Sequence, residues 1–113
     1  MEPTRIDYIE FKSTDLSKTK AFYNASFGWH FTDYGPEYCS FSESGVAGGF
    51  ELTSKAITNG VLVVLYHTDL LNIKAKITEA GGEIVKDVFS FPGGRRFHFK
   101  DPSGNELAVW SDI

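Results

Sequence analysis

Apolar and polar positions along the chain follow two periods, which together divide it into two runs of the same order. In the first run, alternation predicts an opening strand, and apolar residues at helical spacing predict a helix that Gly28 ends. Thr14 or Asp15 is expected to cap the start of this helix. The elements predicted are a strand at 6–11, a helix through residue 27, and strands at about 29–34, 38–42 and 49–53.

The second run repeats this order after a linker at about 54–60. Thr68-Asp69-Leu70 repeats the motif Thr14-Asp15-Leu16, and Gly81-Gly82 ends the second predicted helix. The elements predicted are a strand at 61–67, a helix from about 70 to 80, and strands at 83–89, 95–100 and 105–110. Because element order and capping motif both recur, we predict two copies of one β-α-β-β-β unit and an α+β fold. A single domain is expected over 1–113, with modules at about 5–53 and 61–112.

Composition and charge limit the classes of function. The 113 residues are 42% apolar and 15% aromatic, which favours one packed domain over a disordered chain. A net charge of −4 argues against nucleic acid as a partner, and no apolar run approaches the ~20 residues that span a membrane. Cys39 is the only cysteine, so no internal disulfide forms. We expect a cytoplasmic protein with Cys39 in its core.

The end of the chain combines a turn with an alternating strand. Asp101 and Pro102, followed by Gly104, match a type I turn in which Asp101 accepts hydrogen bonds from nearby backbone N–H groups. Side chains of the following strand alternate between two faces, and Leu107 and Val109 make one face suitable for a core. The opposite face carries Glu106, Ala108 and Trp110.

Three segments resemble one protein superfamily. They read TDLSKTKAFYNASFGW at 14–29, TDL with KITEAGG at 68–70 and 76–82, and FKDPSGNELAVW at 99–110. These segments resemble the vicinal oxygen chelate superfamily, which includes glyoxalase I, extradiol dioxygenases and bleomycin resistance proteins. The resemblance implies an open, curved mixed sheet with helices on its convex face and a ligand cavity on its concave face. It also implies a homodimer in which two chains complete each cavity.

The resemblance also identifies where a metal would bind. Metal-dependent members hold a divalent ion with one His or Glu from each of four strands. The corresponding positions are Tyr8, Glu51, about Leu62, and Ala108. Because only Glu51 offers a carboxylate and such sites need about three protein ligands, we expect no metal cofactor at these positions. A rearranged metal site made of Glu10, Glu51 and His98 is the alternative.

The residues expected to bind a ligand follow from the resemblance and from strand alternation. They are Tyr8, Glu10, Glu51, Tyr66, Arg96, His98 and Trp110. Glu10, Glu51 and His98 are also the catalytic candidates, because carboxylates and imidazole can transfer protons. The alternative for each of them is a solvated polar side chain. Glu106 shares this face but lies beside the turn, where solvent is expected.

Other polar residues have simpler interpretations. His30 and His67 are expected to be structural or exposed. Pro92-Gly93-Gly94 predicts a hairpin whose following arginines, Arg95 and Arg96, either close over an anionic substrate or are solvated.

The sequence predicts a protein that binds a small organic molecule and lacks the superfamily's metal site. The alternative is a lyase or isomerase of the same superfamily, using a rearranged metal site or metal-free acid–base residues. Fold alone does not choose between these functions.

Overall fold

Two repeats of the predicted element order form the molecule, and the computed structural model describes residues 4–113. Module one consists of β1 (Tyr8–Ser13), α1 (Leu16–Phe27), β2 (His30–Asp33), β3 (Tyr38–Ser42) and β4 (Ala47–Leu52). Module two consists of β5 (Val63–Tyr66), α2 (Leu70–Glu79), β6 (Glu83–Phe91), β7 (Gly94–Lys100) and β8 (Glu106–Ser111). Neither helix has the length and apolar character needed to cross a membrane in this part of the chain.

Each module forms its own four-stranded mixed sheet. The strand order is β1-β4-β3-β2 in module one and β5-β8-β7-β6 in module two. In both sheets the first strand runs parallel to the last, and the other neighbours are antiparallel. The predicted α+β fold of two βαβββ modules is therefore confirmed, with the eight strands divided between two hydrogen-bonded sheets.

Both helices begin at an aspartate, as the repeated motif predicts. The Asp15 side chain accepts a hydrogen bond from the backbone N–H of Lys18 at 3.0 Å. The Asp69 side chain does the same for Asn72 at 3.1 Å. Gly28 follows α1 in a left-handed conformation with φ 75°, which lets the chain turn away from the helix axis. Asp15 is thus the cap of α1, and Thr14 is not.

Aromatic residues join the two modules into one core. The Tyr23 ring of α1 lies 5.1 Å from the Phe50 ring of β4, and the Phe22 ring lies 6.0 Å from the Phe99 ring of β7. Cys39 is fully buried in the same core, as predicted. The helices therefore cover one face of each sheet. We call the opposite faces the open faces.

The closing turn fastens module two to module one. The Tyr23 hydroxyl donates to Asp101 Oδ2 at 2.9 Å, and Asn105 Nδ2 donates to the Lys12 carbonyl at 2.8 Å. Asp101 Oδ1 accepts hydrogen bonds from the backbone N–H groups of the three residues at 103–105, each at 2.9 Å. The turn expected from the sequence is therefore also a contact between modules.

Four strands differ from the prediction by two residues or more at one end or both, and β1 is one of them because it spans Tyr8–Ser13 rather than 6–11. Strand β5 begins at Val63 rather than at 61, because Asn59 of the linker accepts the Glu106 N–H that a longer parallel pair would use. Strand β4 begins at Ala47 rather than at about 49, so Gly48 lies inside the strand together with Gly49. Strand β6 extends to Phe91 and contains two irregularities of pairing, which alternation alone cannot reveal.

Candidate functional site

The open face of module two carries two rows of side chains across its four strands. Strand register places Lys86, His98, Ala108 and Val64 in one row. The next row contains Phe89, Arg96, Trp110 and Tyr66. Three of the expected ligand-binding residues, Tyr66, Arg96 and Trp110, are thus neighbours, and His98 lies in the adjoining row. Ala108 lies in the first row but is fully buried, so neighbouring side chains cover it.

His98 and Glu106 form a hydrogen-bonded pair on this face. Nδ1 of His98 lies 2.9 Å from Oε2 of Glu106, and His98 is only 8% exposed. Nε2 of His98 is buried and has no hydrogen-bond partner within the described residues. With Nδ1 donating to the carboxylate, Nε2 is left free to accept a proton or a hydrogen bond. Glu106 is half-buried through this contact, although solvent was expected there.

A cavity of about 210 Å³ borders this pair. Its lining consists of Asn59, Gly60, Val61, Leu62, His98 and Glu106. Asn59 fixes the linker over the start of β8, because its Nδ2 donates to the Gly104 carbonyl at 2.9 Å. The linker thus forms one wall of the cavity, opposite the two side chains that can exchange protons.

Arg96 and Lys86 both lie against the ring of Phe89, which is next to His98. The guanidinium carbon of Arg96 lies 5.3 Å from the centre of the Phe89 ring, and Lys86 Nζ lies 4.4 Å from it. The His98 ring is 5.9 Å from the same centre. Cations are attracted to the face of an aromatic ring, so Phe89 holds both side chains on the open face. Arg96 Nε is buried without a hydrogen-bond partner among the described residues.

Trp110 and Tyr66 supply the aromatic end of this face. The Tyr66 ring lies 5.2 Å from the Trp110 ring, edge to face, and Phe91 lies 6.3 Å from Trp110 on the other side. The Tyr66 hydroxyl donates to Asp112 at 2.6 Å, and this hydrogen bond is the main reason why the pKa of Tyr66 is raised. These rings offer a flat apolar surface next to Arg96.

The open face of module one is organised around two tyrosine hydroxyls. The hydroxyls of Tyr8 and Tyr38 are hydrogen-bonded to each other above Gly49 of β4. Burial raises the pKa of Tyr38, and hydrogen bonds to Tyr8 and Glu10 add to the effect. Tyr38 therefore remains a neutral phenol at physiological pH.

The two carboxylates of this face share a single lysine. Lys12 forms ion pairs with Glu51 and, at 3.8 Å, with Glu10. Its hydrogen bond to Glu51 is the main cause that raises the pKa of Lys12. Glu10 and Glu51 thus lie on one face, as predicted, but each already has a positively charged neighbour.

The donor atoms do not fit the metal site of the superfamily. Of the four positions, Leu62 and Ala108 carry no ligand atom, and the Glu51 carboxylate is paired with Lys12. The rearranged set of Glu10, Glu51 and His98 divides between modules, because His98 pairs with Glu106 in module two. Over residues 4–113, no three His, Cys, Asp or Glu side chains are arranged so that they could hold a metal ion.

Other cavities border the described residues, and two of them involve residues considered above. One of about 330 Å³ runs between β1 and the linker, and it includes Tyr8, Glu10 and Glu106 in its lining. The largest, about 680 Å³, is a cleft between the end of α1 and strand β5. His67 borders this cleft, but its Nδ1 accepts the Asp69 N–H at 2.9 Å, which is the structural role expected for it. Of the three cavities, only that of about 210 Å³ borders both His98 and Glu106, so it is the cavity beside groups that can exchange a proton.

Four residues of the open faces were not predicted from the sequence: Lys12, Tyr38, Lys86 and Phe89. Lys86 and Phe89 share a face although they are three residues apart, because β6 contains a pairing irregularity between them. Alternation along β3 and β1 could have assigned Tyr38 and Lys12 to the open face. Their contacts could not be predicted in this way, because they depend on the register of β4 with both neighbouring strands. Outside the open faces, His30 is exposed as expected, at 3.2 Å from Glu43.

Similarity to known proteins agrees with this architecture. A crystal structure of a glyoxalase/bleomycin resistance protein/dioxygenase family enzyme from Burkholderia phytofirmans PsJN has a TM-score of 0.83 and 14% identity, covering 95% of this chain and 98% of that one. The fosfomycin resistance protein FosX from Listeria monocytogenes has a TM-score of 0.82 and 16% identity, covering 97% and 94%. A glyoxalase-related enzyme from Fulvimarina pelagi has a TM-score of 0.78 and 21% identity, covering 96% and 88%.

These identities show a shared fold and no more. None of the curated proteins matches the chain significantly. The family model of the Glyoxalase/Bleomycin resistance protein/Dioxygenase superfamily matches residues 5–109, which is almost the whole described chain. The chain therefore belongs to the glyoxalase/bleomycin resistance protein/dioxygenase superfamily.

Proposed function

We propose that this chain binds a small organic molecule on the open face of module two, without a metal ion. The observation that carries the proposal is the buried Nε2 of His98, which has no partner in the described residues and belongs to a side chain that borders a cavity of about 210 Å³. A buried polar atom without a partner is unfavourable, so a ligand that bonds to it gains free energy. Glu10 and Glu51 are less available to a ligand, because Lys12 pairs with both.

Nuclear magnetic resonance tests this proposal on the complete chain. Benzoate, benzamide and benzylamine are titrated separately into 15N-labelled protein, and at least one is expected to give saturable amide shifts confined to strands β5 to β8 and the linker. Elemental analysis of the same protein is expected to find no metal in stoichiometric amount. Stoichiometric metal, or the lack of saturable shifts on this face with all three compounds, would contradict the proposal.

An enzyme is the second candidate, and the His98–Glu106 pair favours it. A carboxylate that orients Nδ1 of an imidazole leaves Nε2 placed for proton transfer, as a lyase or isomerase requires. The proton of hydroxyacetone next to its carbonyl group would then exchange with deuterated water faster than in buffer. Loss of that acceleration in His98→Gln, with the fold retained, would support catalysis, whereas equal rates with and without protein would oppose it.

A further inference from the structure

Lys86 and Arg96 place two positive charges on the open face of module two, where the Glu106 carboxylate already pairs with His98. Lys86 Nζ and the guanidinium carbon of Arg96 lie 4.4 Å and 5.3 Å from the centre of the Phe89 ring, so both charges are near the same ring. Neither forms a salt bridge with any of the described residues. Asp87, the residue after Lys86, pairs with Lys74, and Glu106 of the open face pairs with His98.

This arrangement differs from an ordinary solvated surface. Like charges close together repel, and a nearby aromatic ring offsets that repulsion only in part. Arg96 Nε is also buried, so water does not satisfy its N–H as it would on an exposed arginine. An anion with acceptor oxygens at this position would neutralise the charges and accept hydrogen bonds from the outer nitrogens of the Arg96 guanidinium.

His98 extends the same polar surface by one row. It lies two residues from Arg96 on the same face of β7, and its unpartnered Nε2 is buried. Lys86 is opposite His98 across the β6–β7 pair, and Phe89 is opposite Arg96. The side chains of Lys86, Arg96 and His98 therefore all lie near the ring of Phe89.

The rings of Tyr66 and Trp110, at one end of the face, favour an apolar group in the part of the ligand that lies beside its charge. Trp110 is directly opposite Arg96 across the β7–β8 pair, at a spacing of about 5 Å between such neighbours. Trp110 and Tyr66 present ring surface there and carry no charge that would repel an aromatic group. A flat ring attached directly to an anionic group would contact Trp110 while its oxygens contact Arg96.

We propose that the open face of module two binds an aromatic carboxylate, with the carboxylate at Arg96 and Lys86 and the ring against Trp110. This inference rests on the proposed function and specifies its ligand class. It assigns Arg96 and Lys86 as the residues that distinguish an anion from a neutral ligand of the same shape.

Three compounds with the same ring test the charge preference. Benzoate is negative, benzamide is neutral, and benzylamine is positive at pH 7, so dissociation constants from the titrations compare charge at nearly constant shape. Benzoate is expected to bind about tenfold more tightly than benzamide, because charge-assisted hydrogen bonds are the stronger ones, and benzylamine is expected to bind most weakly. If the three compounds shift the open face with equal constants, the proposed function stands and this inference is wrong.

A pair of neighbouring arginines provides the matched control. Arg96→Gln is expected to weaken benzoate binding about tenfold and to leave benzamide binding unchanged. Arg95→Gln removes the same charge from a side chain that is exposed and donates to the Ile113 carbonyl at 3.1 Å, so benzoate binding should change less than about twofold.

Lys86→Gln is a second test in case Arg96→Gln fails to fold. It is also expected to weaken benzoate selectively, by about threefold, because the exposed ammonium of Lys86 is more strongly solvated than the partly buried guanidinium of Arg96. Equal weakening by Arg95→Gln and by the two open-face variants would show a general effect of net charge and would overturn the inference.

Discussion

Gly49 allows two tyrosine hydroxyls to lie directly over strand β4. A Cβ atom at this position would stand 2.5 Å from the Tyr38 hydroxyl oxygen, 2.7 Å from that of Tyr8, and 2.6 Å from the Cys39 carbonyl oxygen. Side chains can rotate away from such a contact, but the carbonyl belongs to the neighbouring strand. The glycine is thus required by the approach of β3 and by the hydroxyl pair together.

Gly49→Ala is therefore expected to lower the free energy of unfolding by about 1–3 kcal/mol, the usual effect of inserting a methyl group into a packed site. Urea denaturation followed by circular dichroism measures it. Gly60→Ala is the control, because a Cβ there meets nothing within 4 Å and the backbone has no positive φ. Stability should then change little, or rise by up to about 1 kcal/mol. Equal stability of the two variants would contradict the close approach seen at Gly49.

At the scale of single residues, the sequence predicts faces better than contacts. Alternation along β7 and β8 places His98 and Glu106 on the same side of the sheet, and the structure has them there. Their hydrogen bond depends on side-chain rotation, and the contact of Lys12 with Glu51 depends on the register of β1 against β4. Register between strands 39 residues apart is set by the packing of the whole module, which no local pattern contains.

At the scale of elements, the closing turn contributes more than a change of chain direction. Asp101 is 4% exposed, and its carboxylate accepts hydrogen bonds from three backbone N–H groups, from Tyr23 and from Asn105. Those donors are largely shielded from water, so each would lose its partner if the carboxylate were removed. The turn that leads into β8 thus depends on one side chain.

Asp101→Ala is expected to lower the free energy of unfolding by about 3 kcal/mol, because several buried donors lose a charged acceptor. Tyr23→Phe removes only one of those hydrogen bonds and should lower it by about 1 kcal/mol. Asp7→Ala, at an exposed position before β1, should change it by less than about 0.5 kcal/mol. The ranking is read from urea denaturation of the three variants, and it fails if Asp101→Ala is no more destabilising than Asp7→Ala.

The ends of an element were predicted closely where nearby residues in the sequence determine them. They were not predicted where pairing with another strand determines them. The caps Asp15 and Asp69 act within one helical turn, so the sequence shows where α1 and α2 begin. The irregular pairing of β6 has no such local signal, because it arises between two strands. For that reason Lys86 and Phe89, which the ligand hypothesis needs, could be placed only with the structure.

At the scale of the whole molecule, one core serves both modules. Helix α1 belongs to module one, yet its Phe22 contacts Phe99 of β7, and Tyr23 bonds to the turn before β8. Sequence repetition predicts two similar units, but it does not show that they share a core. The homodimer implied by the family resemblance stays a prediction.

A shared core means that neither module should unfold by itself. Each module contains one tryptophan, Trp29 in the core of module one and Trp110 on the open face of module two. Trp110→Phe leaves a fluorescent reporter for module one, and Trp29→Phe leaves one for module two. In each variant, the urea midpoint from fluorescence is expected to equal that from far-ultraviolet circular dichroism, because a cooperative transition gives the same midpoint by every probe. Fluorescence midpoints that depart from the circular dichroism midpoint in opposite directions in the two variants would show that the modules unfold separately.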